Sequence, residues 1–195
     1  MLGSITPLGE RGRGMRWGIT ATAFAAGSAI GGALVGGLFG LAGEPVAIPL
    51  GSTPALALLA VAAGAGLLLD AGPVRLPSVR RQVDERWLRT YRGWVYGGGF
   101  GLQLGAGMTT IVTTSAVYLT FAAAALSGGV RGGLVVGLAF GLARAWTLAP
   151  ASSVRSPGAL LRADAFLRRW EAPARRASLA ALGGVALAAL AMAAA

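Results

Sequence analysis

WVYGGGFGLQLGAGMTTIVTTSAVYLTFAAAALS, residues Trp94–Ser127, runs for 34 residues without one Asp, Glu, Lys or Arg. As a single helix rising 1.5 Å per residue it would measure about 51 Å, against about 30 Å of hydrocarbon in a bilayer. The stretch is too apolar for a water-facing loop and too long for one upright span. Two readings fit. In one it is a long tilted helix whose threonines bond back to their own carbonyls. In the other it breaks near Gly105-Ala106-Gly107-Met108-Thr109-Thr110, where glycines loosen the backbone and Thr109, Thr110, Thr113, Thr114 and Ser115 offer hydroxyls to the freed groups. Irregular backbone at membrane depth survives only where protein buries it or a cavity meets it. On the second reading Gln103, Gly105, Gly107 and the five hydroxyl residues are candidates for a polar pathway or a helix break.

On either side lie four more apolar segments, Trp17–Ala42, Ala55–Gly72, Val130–Ala149 and Ala177–Ala195, each meeting or approaching the roughly 20 residues a helical span requires. The predicted fold is an all-α integral membrane protein of about five transmembrane helices, the third kinked or broken. A basic segment, residues 1–16, precedes a single transmembrane domain, residues 17–195, whose connections 73–93 and 150–176 have amphipathic patterns. The first apolar stretch is long and follows a cytosolic-type basic segment, so it reads as a retained span rather than a cleaved signal peptide.

Composition agrees. Apolar residues make up 55% and charged residues 12% of the chain, about half the roughly 25% charged fraction of soluble domains. The 32 glycines follow no collagen triplet and suit close helix approach in lipid. The net charge of +10 comes from 17 Arg and no Lys, and it is concentrated between the apolar segments. Arg11, Arg13 and Arg16 outweigh Glu10 before the first span. Arg75, Arg80, Arg81, Arg86, Arg89 and Arg92 outweigh Asp84 and Glu85 between the second and third. Arg155, Arg162, Arg168, Arg169, Arg175 and Arg176 outweigh Asp164 and Glu171 between the fourth and fifth. The remaining connections hold only Glu44 and Arg131. Under the positive-inside rule this alternation puts the N-terminus in the cytoplasm and the C-terminus outside, in a multi-pass protein of the cytoplasmic (inner) membrane. A basic balance spent on topology leaves no nucleic-acid partner to expect.

Val79, Val83 and Trp87 share one face of Ser78–Arg92, and Leu160, Ala163, Leu167 and Trp170 form a stripe among Arg162, Arg168 and Arg169. Both patterns fit helices in the headgroup interface with arginines toward anionic lipid, and docking onto a cytosolic partner is the alternative. An internal echo links Gly31–Ala42 to Gly132–Ala143, with eight of twelve positions identical at an offset of 101. Related helices inserted in opposite directions are a feature of inverted-repeat transporters.

Chemistry-bearing residues are few. With no Cys and no His, the usual redox, metal-binding and general-base residues are missing, so no catalytic, cofactor-binding or metal site is predicted and the chain does not read as an enzyme. The string Gly97-Gly98-Gly99-Phe100-Gly101 lacks the preceding strand and the lysine of a phosphate loop. Ionisable groups inside spans are functional candidates by default, and two qualify, Asp70 and Arg144. Each sits toward a cytoplasmic end where it can meet water or snorkel, and the two can also pair with one another. Gln103, in a glycine-dense run, fits an interhelical hydrogen bond or contact with a solute.

From Phe100-Gly101-Leu102 through Thr109-Thr110, and from Gly132-Gly133 to Pro150, the chain resembles the transmembrane cytochrome c biogenesis thiol-disulfide transporter (DsbD/CcdA) family. The resemblance implies a broken helix followed by a glycine-rich span, with that family's first span lacking here. It implies no redox role, because that family's cysteine in each broken helix is met here by Thr109 and Thr110. The expected function is therefore transporter-like, moving a small solute. The alternative is a non-transporting scaffold or accessory subunit of a membrane complex, with a homo-oligomer or membrane-protein partner.

Overall fold

The computed structural model describes residues 5–72, 86–107 and 114–194. Among them there is no strand, and the order is α1 (Pro7–Gly12), α2 (Trp17–Leu50), α3 (Ser52–Ala71), α4 (Trp87–Thr90), α5 (Gly93–Ala106), α6 (Ala116–Ala125), α7 (Val130–Ala145), a 3₁₀ helix (Trp146–Ser153) and α8 (Pro157–Ala194). Four helices are long and apolar enough to cross a bilayer: α2, α3, α7 continued through the 3₁₀ turns, and α8. The overlong segment Trp94–Ser127 is not one helix. It consists of α5, of 14 residues, and α6, of 10. The end of α5 is set by Gly107, which caps it at φ +71°, a left-handed conformation open to glycine at little cost. The predicted break thus begins at Gly107, while Thr109, Thr110 and Thr113 lie outside the described residues.

The bundle is organised around α2, which uses two glycine stripes on different faces. Toward α5, a Cβ built on Gly27 would lie 2.2 Å from the Gly98 carbonyl oxygen, and one on Gly31 would lie 2.3 Å from that of Leu102. From the other side, Gly101 and Gly105 press on the carbonyls of Phe24 and Ser28. Numbers rise together across this seam, so α2 and α5 run parallel. Small residues four apart allow such contact, and in lipid it is van der Waals packing rather than a hydrophobic force that holds helices together. The glycine Cα hydrogens face carbonyl oxygens, an arrangement worth about 0.5–1 kcal/mol per Cα–H···O contact.

Toward α7, Gly32 meets Gly137 and Gly141, Gly36 meets Gly133 and Gly137, and Gly40 meets Gly129 and Gly133. Numbers here run in opposite senses, so the pair is antiparallel. Exchanging Gly32, Gly36 and Gly40 for their echoes 101 positions later, Gly133, Gly137 and Gly141, reproduces the same contacts read from the other helix. The sequence echo is therefore a local two-fold, with Gly36 and Gly137 at its centre. One polar contact is added at the margin, where the Ser28 hydroxyl donates to the Gly141 carbonyl at 2.7 Å. Ser28→Ala is expected to cost only about 0.6 kcal/mol in thermal unfolding in detergent, the average for such interhelical bonds. A loss several times larger would show that Ser28 does more than bond Gly141.

α3 and α8 form a second, antiparallel pair beside this core. Gly66 approaches Leu182, Leu67 approaches Gly183, and Asp70 meets Arg175. α8 is continuous for 38 residues through Pro173, about 57 Å at helical rise. The expected amphipathic connection 150–176 is thus divided: its first residues belong to the 3₁₀ helix, and most of the rest is the first half of the last span's own helix. In connection 73–93, residues 73–85 lie outside the description. Its Trp87 packs into the bundle, with its ring 6.1 Å from that of Phe100. Outward-facing Leu38, Val61, Leu68, Val135 and Leu187 are exposed, as lipid-facing positions would be.

Candidate functional site

Two polar clusters are built into this apolar frame. The first gathers Asp70 from the end of α3, Thr114 and Ser115 from the start of α6, and Ser178 from α8. Thr114 donates its hydroxyl to Asp70 Oδ2 at 2.7 Å. The Ser115 hydroxyl donates to Oδ1 at 2.7 Å, and its backbone N–H is shared between both carboxylate oxygens at 2.9 Å. Since Thr114 spends its one proton on Asp70, Ser178, 2.8 Å away, donates to Thr114. Arg175 Nη2 in turn donates to the backbone carbonyl of Asp70 at 2.9 Å.

The logic is that of helix ends. The first amides of α6 lack intrahelical partners and carry partial positive charge, and the last carbonyls of α3 carry partial negative charge. Asp70 supplies an anion to the first and Arg175 a cation to the second, so one cluster closes the ends of two helices and ties both to a third. It forms at the resumption of the broken segment, where α6 needs a donor-accepting partner.

Of the residues singled out from sequence, Asp70, Thr114 and Ser115 are brought together. Arg144 is placed elsewhere: its guanidinium lies over the Phe140 ring, 5.4 Å from the centroid, while the Asp70 carboxylate is occupied by Thr114 and Ser115. The structure thus gives Asp70 and Arg144 separate partners. Phe140 also borders Gly107 and Phe121, so Arg144 stands near an aromatic wall at the break. Gly105 is consumed by its contact with Ser28, and Gln103 is half-buried on α5.

The second cluster was not anticipated from the sequence, where Glu10 counted only against the topology charge. Glu10 is fully buried. Tyr96 donates its hydroxyl across both carboxylate oxygens at 2.6 Å, Thr20 donates to Oε2 at 2.7 Å, and Arg13 pairs with Oε1. Burial works against the charge on Arg13, but the Glu10 carboxylate and the Tyr96 hydroxyl more than offset it, so the guanidinium is held above its ordinary value and stays charged. A local signal was available. Thr6 followed by Pro7 is a cap-plus-proline helix start, and Thr6 Oγ1 accepts from the Gly9 amide at 3.0 Å. That would have located α1, though not its partners Thr20 and Tyr96.

No family model matches the chain, and no solved structure matches it. Curated relatives do. The methylamine utilization protein MauF of Paracoccus versutus is 38% identical over 110 residues, covering 56% of this chain and 39% of that protein. The methylamine utilization protein MauF of Paracoccus denitrificans is 33% identical over 147 residues, 72% of this chain and 53% of that protein. The chain spans about half the length, or less, of the curated relatives it matches.

Proposed function

We propose that this protein is a non-transporting accessory subunit of a membrane system for using methylamine or a similar small amine. The observation that carries the reading is the closure of α2 on two faces: among the described residues, backbone lies on backbone along both glycine stripes, against α5 and against α7. The methylamine utilization role named for the MauF relatives supplies the amine. The polar residues at the break support the same reading, because Asp70, Thr114 and Ser115 are spent on one another and on helix ends.

In this reading the arginine-rich ends face the cytoplasm and anionic lipid, and the C-terminus lies outside. The first half of α8 offers the partner surface. Arg162, Arg169 and Arg176 recur every seven residues, on one helical face, and Leu161, Phe166 and Trp170 are exposed beside them. Basic and aromatic side chains with little to pack against suit an interface.

Deletion in the host distinguishes this reading from transport. Growth on methylamine should fail while uptake of labelled methylamine continues. Loss of uptake would favour the transporter instead. The triple variant Arg162→Gln, Arg169→Gln, Arg176→Gln should reproduce the growth defect with membrane levels of the protein unchanged.

A further inference from the structure

The segment before α2 is tied to the bundle at several separate points. Ile5 is buried in a core cluster with Phe24, Tyr96, Phe100, Leu148 and Ala151. The Leu8 amide donates to the Val154 carbonyl at 3.0 Å, just past the 3₁₀ helix. Glu10 holds Thr20 at the start of α2 and Tyr96 near the start of α5. These contacts bridge elements that begin or end at the same end of the bundle. Gly93 is pressed against the same cluster, where a Cβ would lie 2.4 Å from Thr20 Oγ1 and 3.3 Å from Glu10 Oε2.

The other side of the segment is open. Arg11 and Arg16 are exposed, and Gly12 and Gly14 have nothing within 4 Å of a built Cβ. Gly14 sits at φ +69°. Gly12 at the end of α1 and Gly14 just beyond it, both in open space, form a joint about which α1 can swing. Against this freedom stands one fully buried carboxylate with its charge compensated by Arg13. Arg13 belongs to the same segment and its side chain is 26% exposed, so the ties that hold the segment to the bundle are the bonds Glu10 accepts from Thr20 and Tyr96.

We propose that residues 5–16 form a hinged strap, latched by the Glu10 carboxylate on Thr20 and Tyr96, that closes the end of the bundle where α2, α5 and the 3₁₀ helix meet. The chain is naturally free of cysteine, so single cysteines report directly. Ala151→Cys places a thiol under the strap at a buried position, and Ala63→Cys places one at a fully buried position on α3. Both should resist a water-soluble maleimide in the full chain reconstituted in nanodiscs. Adding Glu10→Gln should raise labelling at position 151 by about tenfold, the signature of local opening, and leave position 63 protected. Tyr96→Phe, which keeps both charges, should give an intermediate rate if Glu10→Gln fails to accumulate.

An unchanged rate at position 151 in Glu10→Gln would overturn the latch. So would a rise at both positions together, which would mark general unfolding rather than a strap.

Discussion

Gly36→Ala is expected to destabilise the protein by about 3 kcal/mol or more, at the upper end of overpacking penalties, and Gly137→Ala by a similar amount. The reason is the identity of what the new methyl meets. At Gly36 it would lie 2.3 Å from the Gly133 carbonyl oxygen and 2.6 Å from Gly137 Cα, and at Gly137 it would lie 2.1 Å from the Gly32 oxygen. These are backbone atoms of a facing helix, so neither a rotamer change nor a flexible tip relieves the contact. The helices must separate, and every Cα–H···O contact along the seam weakens at once. Gly64→Ala, with open space around it, and Gly37→Ala, which meets only side chains, Leu134 at 3.1 Å and Val130 at 4.0 Å, should be nearly neutral. Thermal unfolding in detergent reads the contrast. Equal stability of all four variants would refute the backbone-contact seam.

Asp70→Ala should cost about 3 kcal/mol, the scale of hydrogen bonds to a charged acceptor lost together with an anion at a helix N-terminus. Three donors, the Thr114 hydroxyl, the Ser115 hydroxyl and the Ser115 amide, lose their acceptor, and α6 loses its tie to α3. Asp70→Asn keeps one acceptor oxygen and should lose about half as much. Because the cluster joins three helices, the loss should appear in global unfolding and not only at the break. A silent Asp70→Ala in the same unfolding assay would mean that the carboxylate is held by solvent and that α6 stands without it.

Much of the architecture was legible before any coordinates. Apolar segment length marked the four helices long enough to cross a bilayer, because a helix must cover a fixed hydrocarbon thickness, while the other expected span, Trp94–Ser127, holds the shorter α5 and α6. The glycines of Trp94–Ser127 marked a break, and Gly107 ends α5 within the stretch named for it. The echo between Gly31–Ala42 and Gly132–Ala143 was visible as well, but its meaning was not. Low-complexity repeats match themselves easily, and only the antiparallel register pairing Gly36 with Gly137 makes this one a symmetry.

The site was less legible. Asp70, Thr114 and Ser115 stood out as polar residues in apolar surroundings, yet their mutual contacts and the addition of Ser178 depend on three helices separated by tens of residues. Arg144 was equally conspicuous and has a different partner. Glu10 was invisible as a site because a carboxylate among arginines ordinarily pairs in water, and its burial requires Tyr96 to arrive from 86 residues away.

The overlong segment with which the reading began shows where local and tertiary information divide. By itself the sequence determined that Trp94–Ser127 belongs in an apolar medium and that one upright helix cannot contain it, since both follow from composition and rise per residue. Only the tertiary structure decided what the break is used for. The amides at the start of α6 have no acceptor in their own chain neighbourhood, and folding supplies Asp70 from α3. Thr114 and Ser115, readable from sequence as the lining of a passage, are thereby committed to joining helices.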